Sequence, residues 1–193
     1  MGGPSHFVRQ EVARLKQENE ELRDEVSTLQ RYVDAVQTLL ETVDSLDPAA
    51  EVMSLLDRML YNALTMVNGQ EGSLLVVDEE TNELVFVLTR GDRQHLLQGR
   101  RMPIDKGIAG WVALYQQPQI VNNPAADDRF YAGIDQAVQS RTQSILAAPI
   151  LGGGRLLGVM ELINKRDSRP FNSTDQALVV LLCRFAGHVL DQM

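Results

Sequence analysis

Cysteine, histidine and positive charge are scarce in this chain, and each scarcity removes a class of chemistry. Cys183 stands alone among 193 residues, so no disulfide can form within the chain. Set among Val179, Val180, Leu182 and Phe185, its thiol reads as a small hydrophobe in a reducing, cytoplasmic compartment. The three histidines, His6, His95 and His188, lie far apart in different elements, and neither a metal nor a cofactor is expected. Eighteen Lys and Arg against 26 Asp and Glu leave a formal net charge of -8. Such a chain lacks the cations that neutralise phosphates, which argues against a nucleic-acid partner. No apolar run approaches the roughly 20 residues of a membrane helix, and the opening Met1–His6 has neither the basic nor the apolar region of a secretory leader. No membrane association is expected. Gly2 is out of step with a myristoylation motif, because the hydroxyl residue falls at Ser5, and the opening is read as a tag remnant. A Gly-x-Ser-x-Gly elbow, a Walker loop and a Gly-x-Gly-x-x-Gly turn are all missing. With no catalytic residues in view, a non-enzymatic protein is expected.

What is present begins with a zipper. Val8, Val12, Leu15, Leu22, Val26, Leu29, Val33, Val36, Leu40 and Val43 recur in steps of three and four, with Asn19 filling the one gap. With Val12 at heptad position a, Val26 and Val33 also fall at a and Leu15, Leu22 and Leu29 at d. Beta-branched a with Leu d favours two parallel strands, and a lone Asn at a fixes register. Glu11 and Glu18 at g precede Lys16 and Arg23 at e by five residues, the spacing of interchain pairs in a parallel dimer. Residues 1–46 are therefore expected to form a parallel dimeric coiled coil. The pattern stops at Ser45-Leu46-Asp47-Pro48, where Asp47 can N-cap a new helix and Pro48 suits its first turn.

Residues 47–193 read as one α+β domain: an antiparallel sheet flanked by helices. Helical spacing runs from Ala49 to Val67 and ends at Asn68-Gly69. Strands are predicted over Ser73–Asp78 and Glu83–Thr89, around the polar loop Glu79-Glu80-Thr81-Asn82. A short helix opens at Gly107-Ile108-Ala109-Gly110-Trp111, Ile120-Val121 is a brief strand, and 127–139 is a polar segment with helical stretches. Two long strands, Ser144–Leu151 and Leu156–Lys165, meet at the turn Gly152-Gly153-Gly154. Ser173 and Gln176 make a capping box for the last helix. That helix carries a second apolar stripe at Val179, Val180, Cys183 and Ala186, which a dimer partner is expected to bury. It runs to Met193 without a stop signal, which leaves two readings: continuation into an output domain, or fraying.

Small residues at Gly107–Gly110 leave backbone N–H groups open to an anion at a helix start, or else let the helix pack closely on the sheet. Spacing alone does not choose. Arg90, Arg93, Arg100, Arg101 and Lys106 place positive charge in the same stretch.

The string Asn164-Lys165, five residues, Phe171, three residues, Asp175 resembles the Asn-Lys…Phe…Asp-Glu signature of GAF domains in cyclic-nucleotide phosphodiesterases and related adenylate cyclases, with Gln176 in place of the final Glu. The likeness runs from about Ala49 to the C-terminus and includes Gly107–Gly110, Phe130-Tyr131 with Gly133 and Asp135, Arg141-Thr142, and Gly158–Lys165. It implies that Lys165 and Asp175 form an ion pair bracing the pocket without touching ligand. It also implies that the backbone at Ile108 and Ala109 and the side chain of Tyr131 face a cyclic phosphate, while Ser73, Asp135, Thr142 and Glu161 line base and ribose. Where the family's cGMP binders set an aromatic residue and an Asp against the base, this chain has Thr89 and Arg90, and Val138 replaces a lid hydroxyl. Arg90 decides between two cases: pointing inward it meets phosphate or a base acceptor, pointing outward the base site has lost its family partner.

The resemblance implies a non-catalytic ligand sensor in signal transduction. It would be a homodimer through the coiled coil and the terminal helices, with cAMP or cGMP as regulatory ligand and with a downstream output domain as a partner. The alternative is a constitutive dimerisation or protein-docking module whose pocket is empty.

Overall fold

The computed structural model describes residues 4–44, 52–92, 94–138 and 141–192. The joint expected at Ser45–Pro48, with its Asp47 cap, lies outside the described residues. A single helix, α1 (Pro4–Asp44), spans the heptad region. Its seam residues Val12, Leu15, Leu22, Val26, Leu29 and Val33 stand about half exposed in the single chain.

The elements that follow are α2 (Val52–Val67), β1 (Gly69–Asp78), β2 (Glu83–Arg90), α3 (Gln94–Leu97), β3 (Arg101–Pro103), α4 (Gly107–Tyr115), β4 (Gln119–Val121), a 3-10 turn at Pro124–Ala126, α5 (Ala132–Val138), β5 (Ile145–Gly152), β6 (Arg155–Lys165) and α6 (Ser173–Gln192). The six strands form one sheet in the order β3-β2-β1-β6-β5-β4, and every neighbouring pair is antiparallel. The expected α+β class with a helix-flanked antiparallel sheet is what the chain adopts. The glycine turn closes β5 onto β6 with Gly153 and Gly154 both at positive φ, 57° and 77°, a conformation that costs glycine least.

Period-two alternation sorts the core into two layers. Leu74, Leu146, Ala148, Ile150, Met160 and Leu162 turn to one face and pack against α2 and α6. Leu75, Phe86, Ile145, Ala147 and Val159 turn to the other, under α4 and Met102. Cys183 is buried in the first layer and burial pushes its thiol up to about 12, which fits a packing role.

Two local expectations change. The cap of α6 is one residue earlier than Ser173: the Asn172 side chain accepts from Asp175 N–H at 3.0 Å, and the Asp175 carboxylate accepts from Asn172 N–H at 3.0 Å. The reciprocal box is thus Asn172 with Asp175, and Gln176 has no part in it. Of the second apolar stripe on α6, Val179, Cys183 and Ala186 are buried within the chain in the same layer as α2, while Val180 is only partly buried against it.

Candidate functional site

Glu161 is the polar residue that the alternation of β6 puts on the α4 face of the sheet. Its neighbours there are Val159 and Ile163, and its partners across the register are Ser73 on β1 and Ala147 on β5. Both partners are small, so space opens above the carboxyl. The space is a cavity of about 40 Å³ between the sheet, the start of α4, residues 130–135 and Thr142, walled by Phe86, Met102, Gly107, Ile108, Ala109, Phe130, Tyr131, Ile134, Asp135, Thr142, Ile145, Glu161 and Ile163. That holds about one or two waters, whereas small-molecule pockets run to about 300–1,000 Å³. The site is too small for such a ligand as it stands.

Of the residues the sequence nominated, Ile108, Ala109, Tyr131, Asp135, Thr142 and Glu161 meet in this one cavity. Ser73 is buried opposite Glu161 but is not among the walls. Arg90 is a correction. In the register Thr89 pairs with Ser73 and Arg90 with Gly72, so Arg90 projects to the α2 face. There it holds Asp57 in two hydrogen bonds of 2.9 and 2.6 Å and lies 5.2 Å from the ring centre of Tyr61. Arg90 is therefore no part of the cavity. With 36% and 40% of the two side chains exposed, Arg90→Ala is expected to cost under about 1 kcal/mol in urea denaturation. A loss well above that would show the pair to be a true α2–β2 clamp.

Sequence reasoning passed over the apolar walls Phe86, Met102, Ile134, Ile145 and Ile163. Their signal was available, for Phe86, Ile145 and Ile163 all fall on the face that Glu161 shares.

The two glycines weighed at the start of α4 divide the alternatives between them. A side chain on Gly110 would place its Cβ 2.5 Å from the carbonyl of Ile104, so that position serves close packing. Gly107 has φ of 71° and stands against Met102 and Tyr131 at the cavity. Lys106, the N-cap residue, contributes no side-chain cap.

Among the described residues, α5 is tied to the start of β5 through Asp135 and Thr142. Asp135 on α5 accepts from the Thr142 hydroxyl at 2.6 Å and from the Thr142 N–H at 2.8 Å. Behind it Asn164, at φ of 54°, accepts from the N–H groups of Gln143 and Ser144 and donates to the Arg141 carbonyl. The first signature residue therefore anchors the strand end to which the lid is tied. Burial, and secondarily repulsion from Asp135, push Glu161 from 4.5 to about 7. Among the described residues, no basic side chain walls the cavity.

The other signature residues lie at and beyond the same end of β6. Lys165 and Asp175 are both buried and pair at 2.9 Å. Phe171 is buried beneath the Lys165 ammonium, 5.9 Å from its ring centre. Its backbone is held on both sides by Asn122, a partner the sequence did not indicate.

The GAF domain family model matches residues 51–190. A probable 3',5'-cyclic phosphodiesterase, pde-5, of Caenorhabditis elegans is 29% identical over 142 residues, covering 69% of this chain and 19% of that protein. The dual 3',5'-cyclic-AMP and -GMP phosphodiesterase 11 of Drosophila melanogaster is 26% identical over 171 residues, covering 81% and 12%. The chain thus spans about a fifth or less of the length of these relatives. Among solved structures, the GAF domain of a phosphoenolpyruvate-protein phosphotransferase from Coxiella burnetii superposes with a TM-score of 0.70 at 18% identity, over 82% of this chain and 94% of that one.

Proposed function

The chain belongs to the GAF family, and from that premise we propose that it is a non-catalytic regulatory sensor whose ligand is a cyclic nucleotide. The observation that carries the reading is the convergence on one cavity of the α4 start at Gly107–Ala109, the aromatic side chains Phe86, Phe130 and Tyr131, and the three polar groups of Asp135, Thr142 and Glu161. A purine needs flat apolar walls and a few fixed polar partners, and a cyclic phosphate is suited to a helix start without a side-chain cap. The phosphodiesterases among the relatives act on cyclic nucleotides by their names, and the domain homologous to theirs here is proposed to bind one without reacting with it.

At about 40 Å³ the cavity admits no nucleotide until the segment that carries Tyr131 and Asp135 moves away from the sheet. A ligand shifts such an equilibrium only by its differential affinity for the two states. The seam of α1 supports a parallel homodimer as the form in which the change is transmitted. Calorimetric titration of the full chain with cAMP and with cGMP tests the reading, with Thr142→Ala and Glu161→Ala beside the wild type. The expected result is saturable heat, one ligand per protomer, weakened at least about tenfold in each variant, as loss of a buried hydrogen bond requires. No heat with either nucleotide up to millimolar concentration would overturn it and favour a ligand-free dimerisation module.

A further inference from the structure

Helix α1 presents two faces. Its a and d residues, Val26, Leu29, Val33 and Val36 among them, are about half exposed. On the side of α1 turned away from that seam, Thr28 and Arg31 are half-buried and Ala35 is fully buried. In the heptad these three fall at c, f and c, the side opposite the seam. The outer face of the zipper therefore lies on the chain's own domain while the seam stays free.

Arg31 makes the specific contact. Its guanidinium forms an ion pair with the buried carboxylate of Asp175, and the same Nη2 donates to the Met66 carbonyl at 3.3 Å, in the last turn of α2. A cation there suits both the C-terminal end of α2 and the carboxylate in the first turn of α6. Asp175 is the partner of Lys165 at 2.9 Å. Asn164, at φ of 54°, breaks the alternation of β6, so Lys165 turns to the α2–α6 face with Phe171 and Asp175 while Glu161 and Ile163 wall the cavity on the other. The β6 backbone joins the two, and four residues of strand span only about 13 Å.

We infer that Arg31 is a positioning residue that couples the cavity to the zipper, through the β6 backbone between Glu161 and Lys165 and then through the Lys165–Asp175 pair to the outer face of α1. This rests on the sensor reading for its ligand but not for its contacts. A change in how β6 sits under the ligand moves Lys165 and with it the carboxylate that holds Arg31. Because Arg31 sits on the rigid helix that carries the seam, the movement reaches both strands of a coiled coil without passing through residues 45–51.

Amide hydrogen exchange on the full chain, read by mass spectrometry, tests this in wild type, Arg31→Ala and Arg31→Lys, each alone and with saturating cAMP or cGMP. In wild type a nucleotide is expected to slow exchange both in the lid, 130–142, and in α1, 28–36. In Arg31→Ala the lid should respond as before while α1 does not, with the response partly restored in Arg31→Lys. A lid response without any α1 response in wild type, or an α1 response that survives in Arg31→Ala, overturns the coupling and leaves the nucleotide reading standing. If neither nucleotide protects the wild-type lid, the nucleotide reading fails and the ligand-free arm decides. Exchange raised at least about tenfold by Arg31→Ala, at 28–36 and in β6 around Lys165 together, supports the coupling, as loss of a charge-assisted bond requires. A rise at 28–36 alone, or no rise, overturns it.

Discussion

Replacing Asp175 by alanine is expected to lower the unfolding free energy by about 3–5 kcal/mol in urea denaturation, because it strands a buried charge. Asp175 has no exposed surface, Lys165 retains 8%, and the carboxylate takes hydrogen bonds from the Lys165 ammonium at 2.9 Å and the Asn172 N–H at 3.0 Å, besides the Arg31 guanidinium. Alanine removes all three acceptor contacts at once. It leaves Lys165 buried over Phe171 with no counter-charge, and it opens the first turn of α6, whose N–H groups favour an anion. Against a typical domain stability of about 5–15 kcal/mol the loss is severe. The double variant Lys165→Met with Asp175→Leu should cost clearly less than Asp175→Ala alone, since two matched apolar groups avoid the desolvation that a lone ammonium cannot. If Asp175→Ala costs under about 1 kcal/mol, the pair behaves as a surface ion pair would, and its role as a brace for β6 and α6 fails.

How far such a pair can be read without coordinates depends on the range of its contacts. The sheet layers follow from alternation within single strands: Met160 and Leu162 against Val159 and Glu161 could be assigned before any neighbour was known. The pairing of Lys165 with Asp175 came from a resemblance, and it holds because a short turn brings the end of β6 to the start of α6. Arg90 could not be placed that way. Its direction depends on the pairing of Thr89 with Ser73, in a ladder whose register shifts between Leu74 and Leu75, and its partner Asp57 is 33 residues away on another element. Both Asn172 and Ser173 are good N-caps, and each has a polar residue three positions on. Lys165 breaks the tie by fixing Asp175 where only Asn172 can reciprocate. Arg31 gave no local sign, because an arginine at f in a heptad is what a solvated zipper would also show.

Glu161 is the group whose sequence position said most and whose chemistry said least until the cavity was known. With its carboxyl pushed up to about 7 by burial and by Asp135, the folded protein holds a proton that the unfolded chain has already released. Below about pH 4.5 both states are protonated and Glu161 contributes nothing to pH dependence. Between there and pH 7 the unfolded chain binds fewer protons than the folded one, so stability falls as pH rises, and above 7 the penalty is complete at about 3 kcal/mol. Glu161→Gln keeps the shape and removes the titration. It should leave stability near pH 4.5 unchanged, raise it by about 2–3 kcal/mol at pH 8, and flatten the profile between. Asp78, Asp127 and Asp167, held below the usual carboxylate range mainly by hydrogen bonds from Arg101, from Arg129 and from the Arg169 backbone in turn, act below that window and do not mask it. Urea midpoints from pH 4.5 to 8 measure the difference. Parallel profiles for the two proteins would mean that Glu161 ionises normally and that the cavity is wetter than its walls suggest. A falling wild-type profile and a flat variant would mean that the empty domain carries an uncompensated acid at neutral pH. A ligand presenting N–H or hydroxyl donors to that carboxylate would then offset in binding the penalty that burial and Asp135 place on its charge.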